Sequence, residues 1–501
     1  MKRSTHFSAA LFAAMVLIGQ AAAQQPQQEH QHPVPAQKPT QKDNMQDMPG
    51  MQEHAGHQMN MQTVKPQFPR MGKAQEQTKG PLLSLAELQK MAAENNPTLR
   101  QAETEIRAAQ ARQEQSGLYP NPTVGYTGDE IRGGSIGGGK QGFFAAQPIV
   151  TAGKLGKSRK IFGEEVRLSE VEAQEQKMRV ENAVRIAFYR VLAAQEMLEA
   201  KRDVARIAED NAETQRRLSN TGQADEPEVL QAEVEARRMQ MAVRVQENTL
   251  RQQWRGLTAV LGKPDLPLQI VAGNLETDLP QLNEEQVLET IAKDSPAVRI
   301  AAISTTRAQA VLTRAKAEPV PDLQLRAGAV HSGEQIGGLN RPTGWEGIAE
   351  VGVTLPIWNR NQGNIAAARQ DIERAHKEET RIELTLRERT AAVLDQYASA
   401  RLMAEEYRDG ILPRATKAYA LLVDKYGKML ASYPTVLNSQ KELYQLQMEY
   451  IASLQNVWTT GIALQGYLLT DGLEAPARPS DMDRPVRETN VPMSQSMSPQ
   501  Q

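Results

Sequence analysis

The chain repeats itself. Residues 95–122 read NNPTLRQAETEIRAAQARQEQSGLYPNP, and residues 294–321 read DSPAVRIAAISTTRAQAVLTRAKAEPVP. Pro97 and Pro296, Arg100 and Arg299, Pro120 and Pro319, and Pro122 and Pro321 each stand 199 residues apart. Further along, QPIV (Gln147–Val150) returns as LPIW (Leu355–Trp358), and PEVLQAE (Pro227–Glu233) returns as PTVLNSQ (Pro434–Gln440). Markers repeated in one order mean that both halves build the same succession of elements.

Each half predicts that succession from its own residues. First comes a helix of about 35 residues, Leu85–Leu118 and Glu284–Glu318, stopped by the Pro-x-Pro pair. Two strand-like segments follow around a Gly-rich loop: TVGYTGDEI and QGFFAAQPI in the first half, DLQLRAGAVH and EGIAEVGVTLPI in the second. Leu323, Leu325, Ala327 and Ala329 alternate with polar or small residues, as do Ala349, Val351, Val353, Leu355 and Ile357. Each segment is close to the roughly 9–11 residues that cross a bilayer as a tilted strand. From Glu164 to Thr221 there is neither Gly nor Pro, which predicts about 87 Å of helix. The matching helix begins near Asn364, meets Gly410 and Pro413 where a kink is expected, and resumes to Tyr426. Return helices are expected over Glu226–Leu261 and Pro434–Leu469. The folded body is therefore a first repeat, 81–270, a linker, 271–283, and a second repeat, 284–472.

GGSIGGGKQ (Gly133–Gln141) has the G-x-x-x-x-G-K spacing of a phosphate-binding loop, with Gln141 where the hydroxyl belongs. Such a loop needs a helix N-terminus after it, whereas Lys140 leads into an expected strand. The glycines are expected to serve a turn between two strands.

The ends differ from the body. Lys2 and Arg3 precede the apolar run AALFAAMVLIG and the small residues Ala21 and Ala23, so residues 1–23 read as a secretory signal. Residues 24–80 are rich in Gln, Pro, Met and His and read as a disordered arm, and residues 473–501 as a disordered tail. With no cysteine, disulfides, thiolate metal sites and thiol catalysis are excluded. A net charge of -2 gives no field for nucleic acid. Mean hydropathy is -0.54 and no run of about 18 apolar residues follows the signal, which excludes a membrane helix but not a barrel.

Four short strands are too few to enclose a channel, and open edges are not tolerated in lipid. The strands are thus expected to pair between copies. Tyr126, Phe143, Phe144 and Trp358 stand where an aromatic girdle would anchor the barrel.

The duplicated helix–hairpin–long helix–return helix plan, with NPTLRQAE, YPNP, PIVTAGK and above all LPIWNRNQGNIAAAR, resembles the TolC-type outer-membrane efflux factors, and within them the heavy-metal (CzcC-like) branch. The resemblance covers roughly residues 83–470. It implies a mainly α fold with transmembrane β structure: a homotrimer with a 12-stranded barrel in the outer membrane of a Gram-negative bacterium, continued by a periplasmic helical tunnel. The implied partners are a periplasmic adaptor (membrane fusion protein) and an inner-membrane resistance-nodulation-division pump. It also implies that this chain is no enzyme and carries no cofactor. It places Tyr426 at the family's gating tyrosine and Glu228 at the acid that the tyrosine contacts. The gate arginine falls on Ala431, and the two pore-constricting aspartates on Thr435 and Asn438, so a looser closure through Tyr426 and Glu228 is expected.

His30, His32, Met45, Met48, Met51, His54, His57, Met59 and Met61 lie on the arm. Thioether and imidazole donors suit Cu(I) and Ag(I), so transient metal capture is expected there. The metal branch implies zinc, cobalt or cadmium instead. His331 and His376 are isolated and make no ligand set. Two other readings stand beside metal efflux: an exit duct for organic compounds, and a soluble periplasmic coiled-coil scaffold.

Overall fold

The computed structural model describes residues 82–131, 139–335 and 342–475. The signal, the Met/His arm, the centre of the glycine loop and the tail beyond 475 lie outside the described residues.

Two expected helices are each divided. α1 (Leu85–Asn95) and α2 (Pro97–Ser116) occupy the first repeat, α5 (Glu284–Asp294) and α6 (Pro296–Ala317) the second. The cause lies in the repeated prolines. The residue before a proline is driven out of the helical region, and Asn96 (ψ 123°) and Ser295 (ψ 148°) are both extended. Each then caps the next helix, the Asn96 side chain accepting from Thr98 N–H at 2.9 Å and Ser295 from Val298 N–H at 3.4 Å.

The long helix α3 runs Lys154–Asn220, 67 residues, beginning ten residues before the expected start and passing through Gly156 and Gly163. At about 1.5 Å per residue it extends about 100 Å. Gly163 faces α2 so closely that a Cβ would meet the Gln113 amide at 2.8 Å. Packing outweighs the weak helix propensity of glycine.

α4 (Glu226–Val260) returns along α3, and α7 (Gln362–Glu406), α8 (Leu412–Gly427) and α9 (Tyr433–Gln465) repeat the pattern. Where a kink is expected, a π turn, Tyr407–Ile411, joins α7 to α8. Pro413 has no N–H, and the ladder widens by one residue, Leu412 N–H bonding to Tyr407 C=O. The helix continues through the position instead of ending.

A core in mid-bundle fastens the linker 271–283 to the helices. Leu275 is fully buried, its carbonyl accepts from the Trp458 indole at 2.8 Å, and Tyr450 donates to Glu276 at 3.0 Å. Leu257, Ile291, Leu454 and Ile462 fill the space around it.

Strands β1 (Thr123–Asp129), β2 (Lys140–Ile149), β3 (Leu323–Gln335) and β4 (Pro342–Val353) form one antiparallel sheet in that order. The two hairpins join through β2 and β3, leaving β1 and β4 as edges. β4 ends four residues before the expected Ile357 because residues 354–357 have no partner strand within one chain. Gly139, at φ +77°, turns the chain into β2, and a strand follows it as expected.

Candidate functional site

The sheet separates two chemistries. Strand geometry sends alternate side chains to opposite faces, and the observed register assigns them. One face carries Val124, Tyr126, Phe143, Leu325 and Val351, with Tyr126 edge-on to Phe143 at 5.7 Å. Val124 and Val351 are 75% and 70% exposed in the single chain, which suits a surface that meets lipid. The other face carries ion pairs, Lys140–Glu346 at 3.2 Å and Arg326–Glu350 at 3.5 Å. Such a face suits water.

The four aromatics divide accordingly. Tyr126 and Phe143 stand on the apolar face, whereas Phe144 lies on the charged face beneath the Arg326 guanidinium, 4.1 Å from its ring centre. Trp358 is 87% exposed and lies beyond β4. Sequence reasoning missed Trp345, which is on the apolar face against His331 at 5.6 Å. Its alternation with Glu346 was the available signal.

Below the sheet the repeats are tied together. Asp322 accepts from Thr151 N–H at 2.8 Å and pairs with the buried Lys154 ammonium at 3.0 Å. Farther down, Arg307 of α6 meets Glu165 of α3 in a buried pair.

Level with the linker lies a polar cavity of about 440 Å³, lined by Glu276, Asp278, Arg401, Glu405, Arg408 and Tyr450. Close by, burial pushes the Glu196 carboxyl up to about 7, with repulsion from Glu276 and Glu199 adding to it. Burial also raises Tyr450, helped by Glu276.

At the far end of the bundle, the Tyr426 ring is 6.1 Å from that of Tyr433. No hydrogen bond joins Tyr426 to Glu228 in the single chain among the described residues, although both stand near Tyr433, whose hydroxyl burial and these neighbours push up to about 12. Thr435 bonds Ser432 at 2.9 Å, and Asn438 is exposed. The contact the sequence did not reveal is Lys441 of α9 to Glu235 of α4, 3.0 Å, across a groove of about 470 Å³. Glu235 follows Glu228 by two helical turns, the only sequence signal for it. The arm's His and Met residues lie outside the described residues, and His376 reaches Glu379 only at 4.0 Å. Among the described residues no group of three His, Asp or Glu could hold a metal ion.

Comparison with known proteins agrees with this geometry. The cobalt-zinc-cadmium resistance protein CzcC of Cupriavidus metallidurans is 25% identical over 282 residues, 56% of this chain and 66% of the relative, so the match spans just under two thirds of that protein. The fold matches CusC, described as a transmembrane channel, at TM-score 0.64 and 16% identity, covering 77% of this chain and 91% of that one. It also matches the outer membrane protein VceC of Vibrio cholerae, at 0.61 and 15% over 77% and 96% of the two chains. The open-state MtrE outer membrane channel of Neisseria gonorrhoeae gives 0.62 and 18% over 77% and 89%. The sequence profile of outer membrane efflux proteins matches residues 88–263 and 287–468, one block in each half of the duplicated fold. The chain belongs to the outer membrane efflux protein family.

Proposed function

We propose that the chain is the exit duct of a tripartite efflux assembly, and that its cargo is heavy-metal ions. Family membership places it in the outer membrane of a Gram-negative cell, with a large periplasmic part, and its relatives are efflux channels rather than enzymes. The observation that carries the reading is the sheet: apolar on one face, ion-paired on the other, and open at both edges. Three copies closing at those edges give a 12-stranded barrel around a charged lumen, and α3 with α7 and α8 continues it as a tunnel. The duct is passive. An adaptor and a resistance-nodulation-division pump supply docking and energy.

The metal assignment draws on the similarity to the cobalt-zinc-cadmium resistance protein CzcC and on the Met- and His-rich arm, whose soft donors favour copper or silver over zinc, cobalt or cadmium. Tyr426 and Glu228 are proposed to close the tip, with Tyr433 between their helices. Growth of a deletion strain on copper, silver, zinc and detergents tests the cargo. Metal sensitivity of the deletion strain that the full chain reverses supports the reading; sensitivity to detergents alone replaces it with export of organic compounds.

A further inference from the structure

Three helices near the tip leave a slot between them. α4 and α9 both pack on α3. Val204 and Ala208 of α3, Ala232 and Met239 of α4, and Leu437 and Met448 of α9 line the slot, each pair on one face of its helix. The volume of about 470 Å³ lies within the roughly 300–1,000 Å³ of small-molecule sites, and the lining is mainly apolar. Along α3 the slot runs from Lys201 to Asn211, about 15 Å of helix. Spread over that length, the volume leaves about 30 Å² in cross-section, against about 80 Å² for a helix about 10 Å across. The slot admits one extended chain and not a partner helix.

Its charges are unequal. Lys201, Arg238 and Lys441 line the slot, and among the described residues Glu235 is the one acid that does. Glu235 is already engaged, by Lys441 at 3.0 Å and by Arg238 at 4.0 Å. Lys201 is different. Its ammonium donates to the Gln246 amide oxygen at 2.8 Å. Burial lowers it from its usual range, and among the described residues no carboxylate acts to offset this. An ammonium carries three donors, so Lys201 can hold an anion besides Gln246. On α3 it stands at the linker end of the slot, and Val204 and Ala208 follow it toward the tip.

We propose that the slot binds a free medium-chain fatty acid, with its carboxylate on Lys201 and its chain laid along Val204, Ala208 and Met239 toward the tip. A cation at one end of an apolar slot of single-chain width complements an anion with a single apolar tail. An extended dodecanoate, whose bonds of about 1.5 Å are foreshortened by their zigzag, spans a similar length. Met239 and Met448 suit a flexible chain, because thioether side chains adapt to what packs on them. A phospholipid is a poorer match, since its second chain has no slot to enter. Bound there, the acid ties α9 to the α3–α4 pair beside the Lys441–Glu235 bridge. The site lies on the helices and is independent of the cargo assigned to the duct.

The full-length protein in phosphatidylcholine nanodiscs is titrated with dodecanoate and with dodecyltrimethylammonium, protein-free nanodiscs serving as the blank. Saturable binding of dodecanoate, at least about ten-fold tighter than that of the cationic amphiphile, is expected. Lys201→Met, which keeps an apolar stem, should weaken dodecanoate binding at least about ten-fold. Ala242→Phe, which fills the slot from its α4 wall, should abolish it. Particle size and denaturation midpoint establish that each variant is folded, and either variant alone carries the test. No saturable binding to the unaltered protein, equal binding of the two amphiphiles, or an unchanged affinity in a folded variant overturns the site. Displacement of dodecanoate by phosphatidylglycerol placed in the nanodisc assigns the slot to a lipid tail and overturns the free acid. The exit-duct reading stands under each of these outcomes.

Discussion

Arg307 and Glu165 meet at 2.7 Å between α6 and α3, with 5% and 6% of their side chains exposed. Arg307 gives two bonds to one carboxylate oxygen, from Nη2 at 2.7 Å and Nε at 3.1 Å. Removing one partner of such a pair strands a buried charge, at about 3–5 kcal/mol. Arg307→Ala is therefore expected to lower the denaturation midpoint of the detergent-purified protein sharply. Arg307→Met with Glu165→Leu should recover most of the loss, and equal effects of the single and double changes would refute the ion-pair account.

The Glu196 carboxyl titrates at about 7 in the fold against an ordinary 4.5. Between those values the folded chain holds a proton that the unfolded chain has released, so stability falls as pH rises through this window. The full penalty, on the order of 3 kcal/mol, is present above about pH 7. Glu196→Gln should flatten the decline in midpoint between pH 5 and pH 8. An unaltered profile would locate the pH dependence elsewhere.

Gly142 and Gly328 sit where β2 and β3 join the two hairpins. A Cβ at Gly142 would collide with the Ala329 carbonyl, and one at Gly328 would lie 2.5 Å from the Phe143 carbonyl. Neither neighbour is a flexible side-chain tip. Gly142→Val is expected to reduce the folded protein recovered from outer membranes several-fold, whereas Gly347→Val, with open space around it, should be tolerated. Similar recovery of both variants would count against the β2–β3 junction.

At the tip, the Lys441–Glu235 pair bridges α9 and α4 with side chains 43% and 11% exposed. A partly exposed pair contributes about 0.5–1 kcal/mol, so Glu235→Gln should shift the closed-to-open ratio about two- to five-fold. Tyr426→Phe tests the proposed closure in the same recordings. Single-channel conductance reads both, and an unchanged closed state in both variants would remove these residues from the gate.

Much of the fold was legible in the sequence because the repeat presents each pattern twice. The strands around Leu325 and Val351 alternate cleanly, and the helix after Glu164 has no breaker. What escaped was the meaning of particular prolines and glycines. Pro97 and Pro296 act as first-turn residues of new helices, so one expected helix is two. Gly163 lies inside α3 because α2 needs the space, a tertiary cause invisible to local propensity. Lys441 and Glu235 stand 206 residues apart in sequence, and no spacing rule joins them. The face of Phe144 depended on register, which strand composition alone did not supply.

The central claim is that each copy supplies part of a wall that only several copies complete. Its most direct test is the native mass and sheet content of the mature chain extracted from outer membranes in mild detergent. The account predicts a stable particle of three chains with β structure that persists in detergent. A single chain, released into buffer without detergent and lacking sheet, would contradict it.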